Sequence, residues 1–294
     1  MASFDINITG DDVLKHFSNE NGIGAESAIT LASAYPKEII LVVRTESKVI
    51  SVIEAIRKIN PDIEVSFVEI DLLNNKSVRQ AVEKIKNLTD KIHVLINNAG
   101  VIAVKHFVTL LAKEIIAAAS EGARIVQVGI LGYQLGETNI EDINFKDGKI
   151  YNPRIAYGQA KTAMLLFNLA LDKRLKQKGV TALICHPGVT LESMLLVNSN
   201  VDNESFADAL VLVMERNDAN CISGNPLLPQ NMVILKQAAG VCAPTNLWKL
   251  TEAAPAFIVG NETYTETKDH ALNQEIAKGL WKLSEKPVGE TFVY

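Results

Sequence analysis

The chain has 294 residues, 48% of them hydrophobic, with 29 basic against 34 acidic side chains and a formal net charge of −5. That composition supports a substantial core and excludes intrinsic disorder, and the length suits a single domain, residues 1–294. No Lys/Arg stripe interrupts the acidic surface, so nothing points to a nucleic-acid partner.

Residues 1–10 lack a basic region followed by an apolar core, and no apolar run approaches membrane-spanning length. A cytoplasmic protein without a membrane span is the expectation. Residues 24–34 predict a helix entered from a glycine turn, and 39–43, IILVV, a strand buried on both faces. Val49, Val52, Ile53, Ile56 and Ile59 give helical periodicity over 47–59, closed by Pro61. A strand over 64–70, a helix over 75–88 and a strand over 92–96 follow, the last leading into Asn97, Asn98, Ala99 and Gly100.

Next come a helix over about 104–120, a strand over 124–128 and a Gly/Asn/Asp-rich loop over 129–153. A helix over 155–178 carries Tyr157 and Lys161, and a strand over 180–185 ends at His186, Pro187 and Gly188. Beyond 188 the pattern predicts a helix over 203–215, turns over 222–232 and an edge strand over 233–235. A final amphipathic helix over 266–283 points Leu272, Ile276, Leu280 and Leu283 inward, with Trp281 beside it or facing a partner. The alternation is the βαβ rhythm of an α/β, doubly wound, Rossmann-type fold with a mostly parallel sheet. Residues 189–294 are expected to cap that sheet and shape a substrate cleft.

Three widely spaced cysteines, Cys185, Cys221 and Cys242, suit neither a disulfide scaffold nor a zinc site, and no Cys/His/Asp cluster supports a metal near His93 or His186. Ligands of open α/β sheets sit beyond the carboxyl ends of the strands. Arg44, Asp71, Asn97 to Gly100, the loop after Val128, and Pro187-Gly188 all fall there. Tyr157 and Lys161, four apart on a helix, share a face. A tyrosine can pass a proton to or from a reacting oxygen, and a nearby ammonium favours its phenolate. The alternative is an ordinary surface pair.

With NGIG at 21–24, Arg44, Asp71-Leu72, NNAG at 97–100, YGQAK at 157–161 and HPG at 186–188, residues 22–190 resemble the short-chain dehydrogenase/reductase family. The ending GLWKLSEK at 279–286 is similar to that of fungal, retinol-dehydrogenase-like members. The resemblance implies a seven-stranded parallel sheet, an NADP cofactor and a small-molecule substrate, small or lipophilic, whose carbonyl and secondary alcohol are interconverted. It implies Tyr157 and Lys161 as the catalytic pair. It further implies Gly22 and Gly24 under the pyrophosphate at a helix N-terminus, or a plain turn and cap. Arg44 would hold a 2′-phosphate, or simply face solvent. Asp71 would lie at the adenine, or cap a helix. Asn98, Ala99 and Gly100 would pass the ribose, and Pro187 and Gly188 would line the nicotinamide or form a rigid turn. Homodimers or homotetramers are also implied.

Three departures qualify this. Eleven residues lie between Thr9-Gly10 and Gly22, so either 4–8 form the first strand or that strand is missing, with 11–17 a preceding short helix. Only 23 residues separate Gly100 from Arg124, and the usual asparagine has no counterpart around Val104. Gly129 and Ile130 occupy the serine region, leaving Tyr133 as a substitute hydroxyl. A degenerate homologue, binding without turnover or catalysing a non-redox step, is the competing expectation.

Overall fold

The computed structural model describes residues 22–99, 109–188, 257–259, 262–286 and 289–292. The segments 4–8, 11–17, 203–215, 222–232 and 233–235, together with Gly100, Val104, Cys221 and Cys242, lie outside them. In chain order the elements are α1 (Ile23–Ala32), β1 (Glu38–Val43), α2 (Ile50–Ile59), β2 (Glu64–Glu69), α3 (Asn75–Leu88), β3 (Val94–Asn97) and α4 (Ala112–Ala117). They continue with β4 (Arg124–Val128), α5 (Pro153–Leu175), β5 (Thr181–His186), β6 (Phe257–Val259), β7 (Glu262–Thr263) and α6 (Gln274–Glu285).

The described strands form two sheets, not one. β1 and β2 pair in parallel, from Glu38 opposite Glu64 to Val43 opposite Glu69. The second sheet runs β3-β4-β5-β6-β7, parallel except for the antiparallel β6–β7 pair. The strands expected over 39–43, 64–70, 92–96, 124–128 and 180–185 are thus recovered, β6 and β7 were not foreseen, and a single seven-stranded sheet is not seen among the described residues. One apolar cluster ties the halves together. Val68 of β2 and Ile70 just after it pack with Val82 and Ile85 of α3, Ile125 of β4 and Leu166 of α5.

Local chemistry explains where elements begin. The Asn74 side chain accepts from Lys76 and Ser77 N–H and starts α3, whose Val78, Val82 and Ile85 are buried. Asn152 caps α5 in the same way and Pro153 takes its first turn, so this helix begins two residues before the predicted start. It ends at Leu175, and a tight turn to Gly179, at φ 79°, replaces the predicted last residues. The predicted helix over 47–59 divides into a 3₁₀ turn at Glu46–Lys48 and α2.

Elsewhere tertiary contacts override the pattern. The "loop" after β4 contains a 3₁₀ turn, Leu131–Leu135, with Leu131 and Tyr133 wholly buried. The last helix starts only at Gln274, because Asn273 caps it, and Leu272 is exposed instead of inward. Trp281 is buried against α5, stacked on Phe167 at 5.3 Å with the Arg174 guanidinium 3.9 Å above its ring. His93 precedes β3, is exposed, and pairs with Glu121 at 2.8 Å.

Among the described residues, β6 pairs with the last three residues of β5. Below it, side chains of α5 take over. Asn168 Nδ2 donates to Ala182 O at 3.2 Å, and the buried Asp172 carboxylate accepts Ala182 N–H at 3.4 Å.

Candidate active site

Tyr157 and Lys161 stand one turn apart near the start of α5, at the end of the sheet where the strands finish. The Tyr157 ring is partly exposed, but its hydroxyl is closed off from solvent. Burial raises its pKa, so the side chain is a neutral phenol at physiological pH. The Lys161 ammonium sits 5.7 Å from the Tyr157 ring centroid and 3.7 Å from Met164 Sδ. Burial lowers its pKa to about 8, an effect partly offset by the Cys185 thiol. This is a sheltered pair and not a solvated surface pair.

The helix is held against the strand-end turn by backbone contact. A Cβ on Gly158 would lie 2.2 Å from Gly136 N, and one on Gly136 would lie 2.6 Å from Ile155 O. Only two glycines permit that approach. The buried Thr162 hydroxyl, 2.7 Å from Gly136 O and 2.8 Å from Tyr133 O, donates its proton to this pair of carbonyls. The Gln159 carbonyl accepts from Thr138 Oγ1 at 3.1 Å, and Gln159 Nε2 donates to Ile143 O at 3.1 Å. Tyr157 and Lys161 therefore ride on a helix clamped on both sides of their shared turn.

The serine region is closed. Gly129 and Ile130 are both buried. A Cβ at 129 would meet Ile184 Cγ1 at 2.7 Å and Cδ1 at 2.8 Å, so Ile184 fills the space of any side chain there. Tyr133 does not substitute for the missing hydroxyl. It is wholly buried, and its hydroxyl accepts Lys268 N–H at 3.0 Å and lies 3.4 Å from Gln134 Nε2.

The residues proposed for the cofactor are distributed as follows. Gly22 precedes α1, no side chain caps that helix, and open space lies beside the glycine. A Cβ on Gly24 would come within 2.5 Å of Asn98 Nδ2, so the start of α1 abuts the end of β3. Arg44 follows β1 and is exposed. Asp71 does not cap α3, which Asn74 does; its carboxylate accepts Leu73 N–H at 3.0 Å, and its own N–H donates to Ser77 Oγ at 2.8 Å. Ala99 is exposed. Pro187 is buried, and Gly188 has φ 90°, a conformation suited to glycine. Among the described residues no side chain caps the amides at the mouth of this ten-residue helix, an arrangement that fits the phosphates of a dinucleotide. Among the described residues no group of three metal-ligating side chains occurs, and no helix is long and apolar enough to cross a membrane.

One residue carries more than its sequence position suggested. His186 ends β5, is buried, and has its pKa lowered to about 4 by that burial. Its only sequence signal was its place at a strand end beside Pro187-Gly188.

Residues 18–134 match the family model described as short chain dehydrogenase. The chain is 30% identical to retinol dehydrogenase 13 of Mus musculus over 306 residues, covering 96% of this chain and 85% of that relative. It is 32% identical to retinol dehydrogenase 13 of Homo sapiens over 200 residues, which cover 62% of this chain and 60% of the relative. With human polyprenol dehydrogenase it shares 32% over 193 residues, 58% of each chain. It thus spans 58–60% of the length of these two human relatives. Among solved structures, a protein from Mycobacterium paratuberculosis superposes with a TM-score of 0.62 at 23% identity, covering 94% of this chain and 92% of that one. Levodione reductase superposes at 0.57 and 17% identity, covering 82% and 92%. These two likenesses concern the fold. Sequence, fold and the sheltered tyrosine–lysine turn agree: the chain belongs to the short-chain dehydrogenase/reductase family, oxidoreductases that bind nicotinamide cofactors.

Proposed function

We propose that this chain is an NADP-dependent oxidoreductase that interconverts a carbonyl and a secondary alcohol on a small or lipophilic substrate. The observation that carries the reading is the clamped turn of α5, which holds the Tyr157 hydroxyl out of solvent with the Lys161 ammonium 5.7 Å from its ring centroid. A neutral, protonated phenol is equipped to give its proton to a carbonyl oxygen, so Tyr157 acts as general acid in reduction and as base in the reverse sense. Lys161, its electrostatic partner, lowers the cost of the phenolate that results. When bound, the nicotinamide supplies or accepts the hydride.

Gly22 and Gly24 would lie under the pyrophosphate, Asn98, Ala99 and Gly100 beside the ribose, Asp71 at the adenine, and Pro187 and Gly188 along the nicotinamide. Exposed Arg44, ending β1, would meet a 2′-phosphate and favour NADP over NAD. We further assign residues 1–294 to one domain, with 189–294 forming its substrate side, in a cytoplasmic, homodimeric or homotetrameric protein.

The filled serine region favours a second reading, a homologue that binds nucleotide without turnover. Calorimetry with NADPH, and NADH as control, separates them in combination with kinetics. The redox reading expects NADPH binding, with Tyr157→Phe binding equally while losing turnover by about 10²-fold or more. Absence of binding at millimolar NADPH would sink it, and equal activity in Tyr157→Phe would remove Tyr157 from its role.

A further inference from the structure

The sheet face under α5 holds one polar side chain that the roles above leave unused. His186 is 4% exposed, and its Nδ1 has no hydrogen-bond partner among the described residues. Strand alternation fixes its direction. Its neighbours Cys185 and Leu183 pack on the opposite face with Val126 and Val128. Ile184, two residues back, packs on the α5 side with Leu131, Tyr133 and Leu165, together with Phe257 and Val259 of β6. His186 pairs with Val259, so its imidazole belongs to that same side.

The register then sets His186 beside the damaged position. Val128 pairs with Cys185, and Gly129 N–H donates to Cys185 O at 2.8 Å, which makes Gly129 and His186 neighbours across the strands. The helix over this face contributes Met164, whose sulfur touches the Lys161 ammonium. One buried imidazole thus sits at the level of the strand ends, on the face that α5 covers and across the strands from the position that lacks a hydroxyl. A neutral imidazole offers one N–H donor without a charge to bury.

We propose that His186 supplies the second hydrogen-bond donor to the reacting oxygen of the substrate, the part that neither Gly129 nor Ile130 can play. The assignment rests on the oxidoreductase reading above. Tyr157 still transfers the proton; His186 donates a hydrogen bond through its N–H and keeps that proton throughout. A purely structural His186 makes the opposite demand. An unpartnered buried nitrogen is a poor filler, so an apolar side chain would serve the core better.

The test compares the full chain with His186→Leu, His186→Phe, His186→Gln and Tyr157→Phe. Thermal midpoint, NADPH affinity, kcat and KM are measured with NADPH and an aromatic ketone or a long-chain aldehyde. His186→Leu is expected to fold at least as stably, to bind NADPH within about twofold of the parent, and to lose kcat by about 10²-fold. His186→Gln, which keeps an N–H donor, regains at least about tenfold of that loss. Should the leucine variant fail to fold, His186→Phe repeats the test with the ring volume kept. A kcat within about threefold of the parent in the apolar variant, or equal losses in the leucine and glutamine variants, would overturn the assignment. A parent that turns over and is silenced by Tyr157→Phe but not by His186→Leu sinks only this inference. A parent without any turnover sinks the oxidoreductase reading and this assignment with it.

Discussion

At the scale of single residues, the site is governed by burial acting on two groups in opposite senses. It holds the Tyr157 proton on and loosens the Lys161 proton. With a folded pKa of about 8, Lys161 is mostly charged at neutral pH and loses its charge over the next two units. Carbonyl reduction is therefore expected to decline as pH rises through about 8. Lys161→Arg, whose guanidinium stays charged, should move that decline upward in a pH–rate profile. The stability linkage has a definite sign. Between about 8 and the ordinary lysine value of 10.5 the unfolded chain holds a proton that the native lysine has shed, so stability rises with pH across that window. Gly158 gives a second residue-scale test. Alanine at an exposed helix position gains up to about 1 kcal/mol over glycine. Here the added Cβ would lie 2.2 Å from Gly136 N, backbone that cannot step aside. Gly158→Ala is expected to cost about 1–3 kcal/mol, read as a lowered denaturation midpoint.

Among elements, the firmest assembly is α6 on α5. Trp281 lies between the Phe167 ring and the Arg174 guanidinium, and its Nε1 donates to Glu285 at 3.1 Å. The same Glu285 carboxylate accepts Phe292 N–H at 3.0 Å, which ties down the chain beyond the helix. Trp281→Ala should destabilise the fold by about 3–5 kcal/mol in chemical denaturation, through lost packing. Its effect on turnover is expected to be secondary, since the helix face it covers is remote in sequence from Tyr157. The two helices also show what local pattern can reveal. α3 is legible from sequence because its cap, Asn74, directly precedes a regular Val78–Val82–Ile85 stripe. α6 is misjudged by eight residues at its start, because Leu272 continues the apolar period while Asn273 breaks it as a cap.

For the molecule as a whole, the order and type of elements were legible because each buried strand is a short apolar run between amphipathic helices. The placement of Arg44, Asp71, Asn98 and Pro187 at strand ends followed from the same rhythm. Pairing was less legible. Nothing local in EIILVV or VLIN says that, among the described residues, β1 and β3 fall in different sheets. The site shows a similar division. The tyrosine–lysine spacing announces itself, and so does the lack of a serine. That Ile184, 55 residues away in sequence, fills the serine's space is a fact of strand register that no local motif encodes. The same holds for Tyr133, whose hydroxyl is taken by a backbone amide 135 residues further on.

The side chains of Asn168 and Asp172 have a consequence outside the active site. A strand whose neighbour stops short leaves amide and carbonyl groups that a second protein molecule can adopt as a template. Ala182 has both of its groups taken by a helix of its own chain, and the accepting Asp172 carboxylate has its pKa raised by burial. That stretch of β5 is thereby closed to strand addition from another copy. Protection against strand addition at Ala182 is supplied by two polar residues on α5.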